Sequence, residues 1–272
     1  MAAAAASSIG FTASFANAER RATIERHIQR VNPKLRGNSL RVAVQQAFDS
    51  YAKYYMESFR LPGLSKRTVD RAFSVDGFEH IPEALALGNG CIFALPHLGG
   101  WEWAGRWMTD QGYKLTVVVE ALEPPELFEW FADLRKELGM TVVPTGPTAG
   151  PAVLKALKAN EIVCLLCDRD IERNGVQVDF FGERTTLPAG PATLGLRIGA
   201  PILPVGCYFT NSYNGHHALV RPPVSAVRSG GGLRDDVARI TQSLAHELEF
   251  LIRRAPEQWH LFQPNWPSDP GY

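Results

Sequence analysis

The stretch Cys91-Ile92-Phe93-Ala94-Leu95-Pro96-His97-Leu98-Gly99-Gly100-Trp101-Glu102-Trp103-Ala104 decides the fold. Its first five residues form an uninterrupted apolar run, the mark of a short strand covered on both faces, and Trp101 to Met108 carries apolar residues at helical spacing. His97 therefore falls where a strand ends and a helix is about to begin. On one regular helix, positions five apart point about 140° away from each other. His97 must then sit on the loop before the helix, able to fold back over the first turn that carries Glu102. Gly99 and Gly100 permit that tight approach. They also leave bare backbone N–H groups near a helix N-terminus, where a developing negative charge is favoured.

Two further runs repeat the pattern. Leu115 to Val119 ends at Glu120, and Glu161 to Cys167 ends at Asp168-Arg169-Asp170. Apolar strands separated by helix-length segments, each ending in a titratable residue, are expected at the carboxyl edge of a parallel sheet, where open α/β folds place their sites. Periodicity predicts helices over 40–59, 124–138, 149–160 and 233–254, and late strands over 201–209 and 217–221. The expected fold is single-domain α/β, a mainly parallel central β-sheet flanked by helices on both faces. Residues 1–39 read as a helical lead, partly flexible, and residues 40–272 as the main domain. The aromatic stripe Tyr51, Tyr54, Tyr55 on the first long helix is more often core than a ligand box.

A chain of 272 residues with 45% hydrophobic content can bury a sizeable core. Its 28 basic and 28 acidic residues cancel, which argues against a nucleic-acid partner. Cys164 and Cys167 spell C-x-x-C, but residues three apart in a strand face opposite sides, so all four cysteines read as buried thiols of a cytosolic protein. The opening stretch from Met1 to Ala18 is uncharged and ends in a small-residue mimic of a cleavage site. It lacks the positive region and apolar core of a secretory signal, and it is too weakly apolar to span a bilayer. Export is not expected. Metal-ligand spacing is absent and no cofactor is expected. No Gly-x-Ser-x-Gly elbow occurs, which counts against a serine esterase.

A neutral histidine suits proton abstraction near pH 7, and a carboxylate on its other ring nitrogen would fix the tautomer. His97 is the candidate base, and Glu102 and Asp168 compete to orient it. Backbone N–H groups of Gly99 and Gly100 are candidate oxyanion donors.

The His-x-x-x-x-Glu element resembles the bacterial lysophospholipid acyltransferases, the superfamily of the lipid A lauroyl and myristoyl transferases. So do Arg135 within Leu134 to Gly139, the Asp168-Arg169-Asp170 block, Gly175 to Glu183, and Leu187 to Ala192. Within that superfamily the chain is most similar to the actinobacterial phosphatidylinositol mannoside acyltransferases. Ser58 to Pro62, the Val176 to Glu183 string and the closing Trp259 to Trp266 carry that likeness. The resemblance implies a glycerolipid-acyltransferase-like sheet, an acyl-CoA donor, a glycolipid acceptor and peripheral contact with the cytoplasmic face of the plasma membrane. It implies that Glu102 belongs to the site, that Arg135 and Arg169 lie near the groove, and that Glu120 accepts from sugar hydroxyls. Local pairing of Arg135 with Glu137, or of Arg169 with Asp170, is the competing reading. Family members commonly carry a longer amphipathic N-terminal segment. The expected activity is transfer of a palmitoyl-like chain to a mannose hydroxyl by a monomer. The alternatives are another glycolipid or lysophospholipid acceptor, or hydrolysis of acyl thioesters.

Overall fold

The computed structural model describes residues 17–120 and 125–272. In chain order the elements are α1 (Ala18–Val31), α2 (Gly37–Arg60), α3 (Lys66–Arg71), β1 (Phe73–Asp76), α4 (His80–Leu85) and β2 (Cys91–Leu95). Then come α5 (Trp101–Asp110), β3 (Leu115–Val119), α6 (Pro125–Glu137), β4 (Thr141–Pro144), α7 (Ala149–Lys158) and β5 (Ile162–Leu166). The hairpin β6 (Val176–Phe180) and β7 (Glu183–Leu187) precedes α8 (Gly190–Ile198), β8 (Ile202–Phe209), β9 (His216–Val220) and α9 (Leu233–Arg253).

Seven strands form one sheet in the order β1-β9-β8-β2-β5-β3-β4, parallel throughout except where β9 runs antiparallel to β8. The expected single-domain α/β architecture with a mainly parallel sheet is the observed one. Every residue of β2 is buried because both faces of the strand are covered. Cys91, Phe93 and Leu95 join a core with Trp103, Met108 and Phe131, while Ile92 and Ala94 join the opposite core with Ile240, Leu244 and Leu248 of α9. Period-two alternation thus assigns one strand to two layers. Cys164 belongs to the first layer and Cys167 to the second.

The N-terminal helices add a third cluster, in which Ile24 and Ile28 of α1 meet Val44 and Phe48 of α2 and Phe262 of the closing tail. Asp269 ties that tail to α1, bonding His27 Nε2 at 3.2 Å and pairing with Arg30 at 2.8 Å. Most of the Met1 to Ala18 stretch, and the expected start of a helix at Pro124, lie outside the described residues. Among the described residues no helix is long and apolar enough to cross a membrane.

Candidate active site

Strand β2 delivers His97 to the carboxyl edge of the sheet, and the loop then turns sharply into α5. Gly99 makes the turn possible: its φ is +61°, and a Cβ there would stand 2.3 Å from the carbonyl oxygen of Cys207 on β8. Next to β2, β5 leads two residues past its end to Asp168, whose side chain is fully buried behind His97. One carboxylate oxygen of Asp168 accepts the His97 Nδ1–H at 2.7 Å, and the other accepts the His97 backbone N–H at 3.0 Å. Trp259 Nε1–H donates to that second oxygen at 2.7 Å, and Asn265 Nδ2–H holds the Asp168 carbonyl at 2.9 Å. Burial works to raise the Asp168 carboxyl, but the adjoining His97 ring and the hydrogen bonds from His97 and Trp259 outweigh it and hold it below its ordinary value. With Nδ1–H committed, the Nε2 lone pair is the basic atom of a ring that remains partly exposed.

Glu102 does not touch His97. It lies in the first turn of α5 and pairs with Arg135 of α6, whose Nη2 stands 2.5 Å from Oε1 and whose Nε donates to both oxygens. Tyr54 Oη–H at 2.9 Å and Trp101 Nε1–H at 3.2 Å converge on the same Oε1. Arg135 is thereby paired across the site rather than with Glu137 on its own helix. Burial opposes its charge and the Glu102 carboxylate more than offsets that, raising its pKa. Tyr54 is pushed well above its ordinary range by burial and by Glu102. Arg169 reaches Glu120 at 3.5 Å rather than Asp170, which instead accepts the Gly175 backbone N–H at 2.7 Å.

The His97 ring and the Glu102 and Arg169 groups border one cavity with about 220 Å³ of free space, and Asp168 and Trp259 stand behind its wall. His97, Glu102, Glu120, Arg135 and Arg169 stand in its wall at the carboxyl edge of the sheet. Below them it runs between α5 and the sheet, past Val117 to Leu115, Met108 and Met140, a descent of about 13 Å at 3.3 Å per strand residue. Sideways it passes Val205, Ala218 and Val220 to Val75 and Ile81, about 14 Å over three strand spacings. Ala104 and Gly105 on α5 keep the helix side shallow, which leaves the space open. Apart from the polar rim the lining is almost wholly apolar.

Gly99 does not supply the expected oxyanion donor, and Gly100 stands outside the lining of the cavity. Gly99 N–H is already donated to the Gln258 carbonyl at 3.0 Å, because the loop pairs with the closing tail. Gly100 packs its Cα against the His216 and Phe209 rings, and neither glycine lines the cavity. The Phe180-Phe181 turn is also outside the cavity and supports Trp259 from below, with ring centroids of Phe181 and Trp259 5.8 Å apart. Sequence reasoning took the tyrosine stripe for core and gave no role to His260 or Trp259, yet Tyr51, Tyr54, Tyr55 and His260 all line the cavity.

An α/β fold that sets a carboxylate-bound histidine over a deep apolar channel is the arrangement of an acyl-transferring enzyme. Residues 1–268 match the family model described as bacterial lipid A biosynthesis acyltransferase, and the chain belongs to that family of acyltransferases. The phosphatidylinositol mannoside acyltransferase of Mycobacterium tuberculosis is 39% identical over 228 residues, covering 82% of this chain and 70% of the relative. The protein of the same description from Mycolicibacterium smegmatis is 38% identical over 229 residues, 83% of this chain and 73% of the relative. The lipid A biosynthesis acyltransferase of Haemophilus influenzae is 24% identical over 199 residues, 72% of this chain and 59% of the relative.

Proposed function

We propose that the enzyme transfers a palmitoyl-like chain from acyl-CoA to a mannose hydroxyl of a phosphatidylinositol mannoside. The observation that carries this reading is the pairing of His97 with Asp168 at the head of a long apolar cavity. The cavity takes the fatty chain and brings the thioester carbonyl to rest beside His97. The acceptor hydroxyl attacks that carbon while its proton passes to His97 Nε2, and the buried Asp168 stabilises the imidazolium. As the tetrahedral intermediate collapses, the C–S bond breaks and His97 returns the proton to the departing thiolate, leaving the ester and free CoA. Glu102 acts on this scheme by fixing Arg135, and Arg135 with Arg169 answers the phosphate charges of donor and acceptor. Glu120 accepts from sugar hydroxyls. The likeness to the mycobacterial enzymes supports the mannoside acceptor. Because the acceptor is a lipid and the donor a cytosolic thioester, the enzyme works from the cytoplasmic face of the membrane as a peripheral protein. No resident cofactor is needed, since both reacting groups arrive on the substrates.

The test is acyl transfer from labelled palmitoyl-CoA by the purified protein, with phosphatidylinositol mannosides and lipid A precursors offered in parallel and His97→Ala as control. Label on the mannoside that depends on His97 is the expected result. Label on the lipid A precursor alone overturns the acceptor, and release of free fatty acid alone overturns transfer in favour of hydrolysis.

A further inference from the structure

With Gly99 N–H consumed, the site needs another donor for the oxygen of the tetrahedral intermediate. His97 and His260 flank an isolated antiparallel bridge between the loop after β2 and the closing tail. The bridge between Leu98 and Trp259 sets residue 97 opposite residue 260, and the His260 backbone N–H donates to the His97 carbonyl at 2.7 Å. Side chains of directly opposed residues lie on one face with Cβ atoms about 5 Å apart, and both rings line the cavity. His260 is 5% exposed, and its Nδ1 is buried with no hydrogen-bond partner. Buried polar atoms are rarely left so, and when they are, a functional role is among the explanations.

The neighbouring atoms fix which ring nitrogen carries the proton. His260 Nε2 stands 2.8 Å from Ser50 Oγ on α2, and Ser50 Oγ makes no other hydrogen bond among the described residues. If Ser50 accepted from Nε2–H, its own hydroxyl proton and the Nδ1 lone pair would both be stranded. If Ser50 donates to Nε2, only one group is left over, an Nδ1–H. The second arrangement satisfies more of the buried polar atoms. Burial, with a smaller contribution from His97, lowers the ring to about 3, so at neutral pH it carries that single proton. Tyr51, Tyr54 and Trp101 pack around the imidazole with ring centroids 5.3, 5.9 and 5.7 Å away, which holds its orientation.

We propose that His260 is a second catalytic histidine, a neutral Nδ1–H donor to the thioester carbonyl oxygen that strengthens its bond as that oxygen becomes an oxyanion. This rests on the acyl-transfer reading above. His97 takes the proton and His260 takes the charge, so the two rings divide the work of one transition state. Such a donor is preorganised, and it acts where charge develops.

The experiment measures kcat and KM for palmitoyl-CoA with the mannoside acceptor for wild type, His260→Phe, His260→Gln and Ser50→Ala. Binding of a hexadecyl-CoA thioether, which has the chain but no carbonyl, is measured alongside. The expected result is a fall in kcat of about a hundredfold for His260→Phe, the usual loss on deleting one such donor. His260→Gln, which keeps an N–H, recovers part of the rate, and Ser50→Ala, which frees the tautomer, loses an intermediate amount. Thioether affinity is unchanged in all four proteins. A His260→Phe rate close to wild type overturns the proposal, as does a loss of thioether affinity that matches the loss of rate. If His260→Phe does not fold, the other two variants decide it: full wild-type rates for both overturn it, and graded losses with intact thioether binding support it. A wild type that transfers no acyl group to any acceptor overturns the reading beneath, a result distinct from any failure of the variants.

Discussion

The Asp168 carboxylate grips His97 twice, taking the ring Nδ1–H with one oxygen and the backbone N–H with the other. Ring and main chain are therefore fixed by a single side chain, which Trp259 in turn holds in place. Asp168→Asn retains the shape but offers one acceptor and one amide donor, so either the imidazole tautomer or the Trp259 bond is lost. The expected kcat for acyl transfer falls by about 10⁴, the loss seen when a histidine keeps its place but takes the wrong tautomer. Initial rates measured beside a circular dichroism spectrum check this. A variant that keeps its fold and more than a tenth of the rate would show that Asp168 is only a packing residue.

Glu102 and Arg135 form a buried pair with two extra donors on the carboxylate, so removing one partner strands the other charge. Breaking such a pair costs about 3–5 kcal/mol, while replacing both ends by apolar groups is close to neutral. Glu102→Ala is expected to lower urea stability by that amount, and Glu102→Ala with Arg135→Met to recover most of it. Equal stability of the single and double variants would contradict this account.

Much of the frame was legible from residue pattern alone. Cys91–Leu95 forms a strand at the expected residues as an unbroken apolar run with both faces covered, and Leu115–Val119 does so with Thr116 as its one polar interruption. β1 and β4 escaped notice because they are four-residue edge strands, half exposed, with too little apolar signal to stand out. The site was partly legible for a related reason. Strand ends declare themselves, so His97, Glu120 and Asp168 could be placed on one edge. Which carboxylate faces the imidazole depends on register between β2 and β5, and on where Arg135 settles after the chain has crossed β3. His260 was out of reach because its position follows from the closing tail pairing with the loop after β2, and no local spacing encodes that contact.

Cavity length should set chain length. Ala218 lines the lateral arm on β9 and is 4% exposed. Ala218→Phe fills that arm, with an overpacking cost of about 1–3 kcal/mol. If the fatty chain uses the arm, the ratio of kcat/KM for palmitoyl-CoA to that for a ten-carbon donor falls at least tenfold, with the short donor little affected. An unchanged ratio would direct attention to the descending arm, where Leu115→Phe is the matching substitution.

His260 also makes a prediction about acid stability. Its ring is held at about 3 in the folded protein, chiefly by burial, against 6.5 for the free side chain. Between those values the unfolded chain binds a proton that the folded chain refuses, so stability is full above about pH 6.5 and declines as pH falls. The slope is up to about 1.4 kcal/mol for each unit of pH. Asp168 and Asp269 act lower down: their carboxyls are depressed in the fold, so the stability they lend is complete above about pH 4 and is lost as pH drops below that. His260 alone should therefore weaken the wild type by about 2–3 kcal/mol between pH 6.5 and 4.5. His260→Gln has no proton to gain in that interval, and its stability should be flatter there by the same amount. Urea unfolding midpoints at pH 7, 5.5 and 4.5 for both proteins measure the difference, and parallel curves would mean that the imidazole is protonated in the fold.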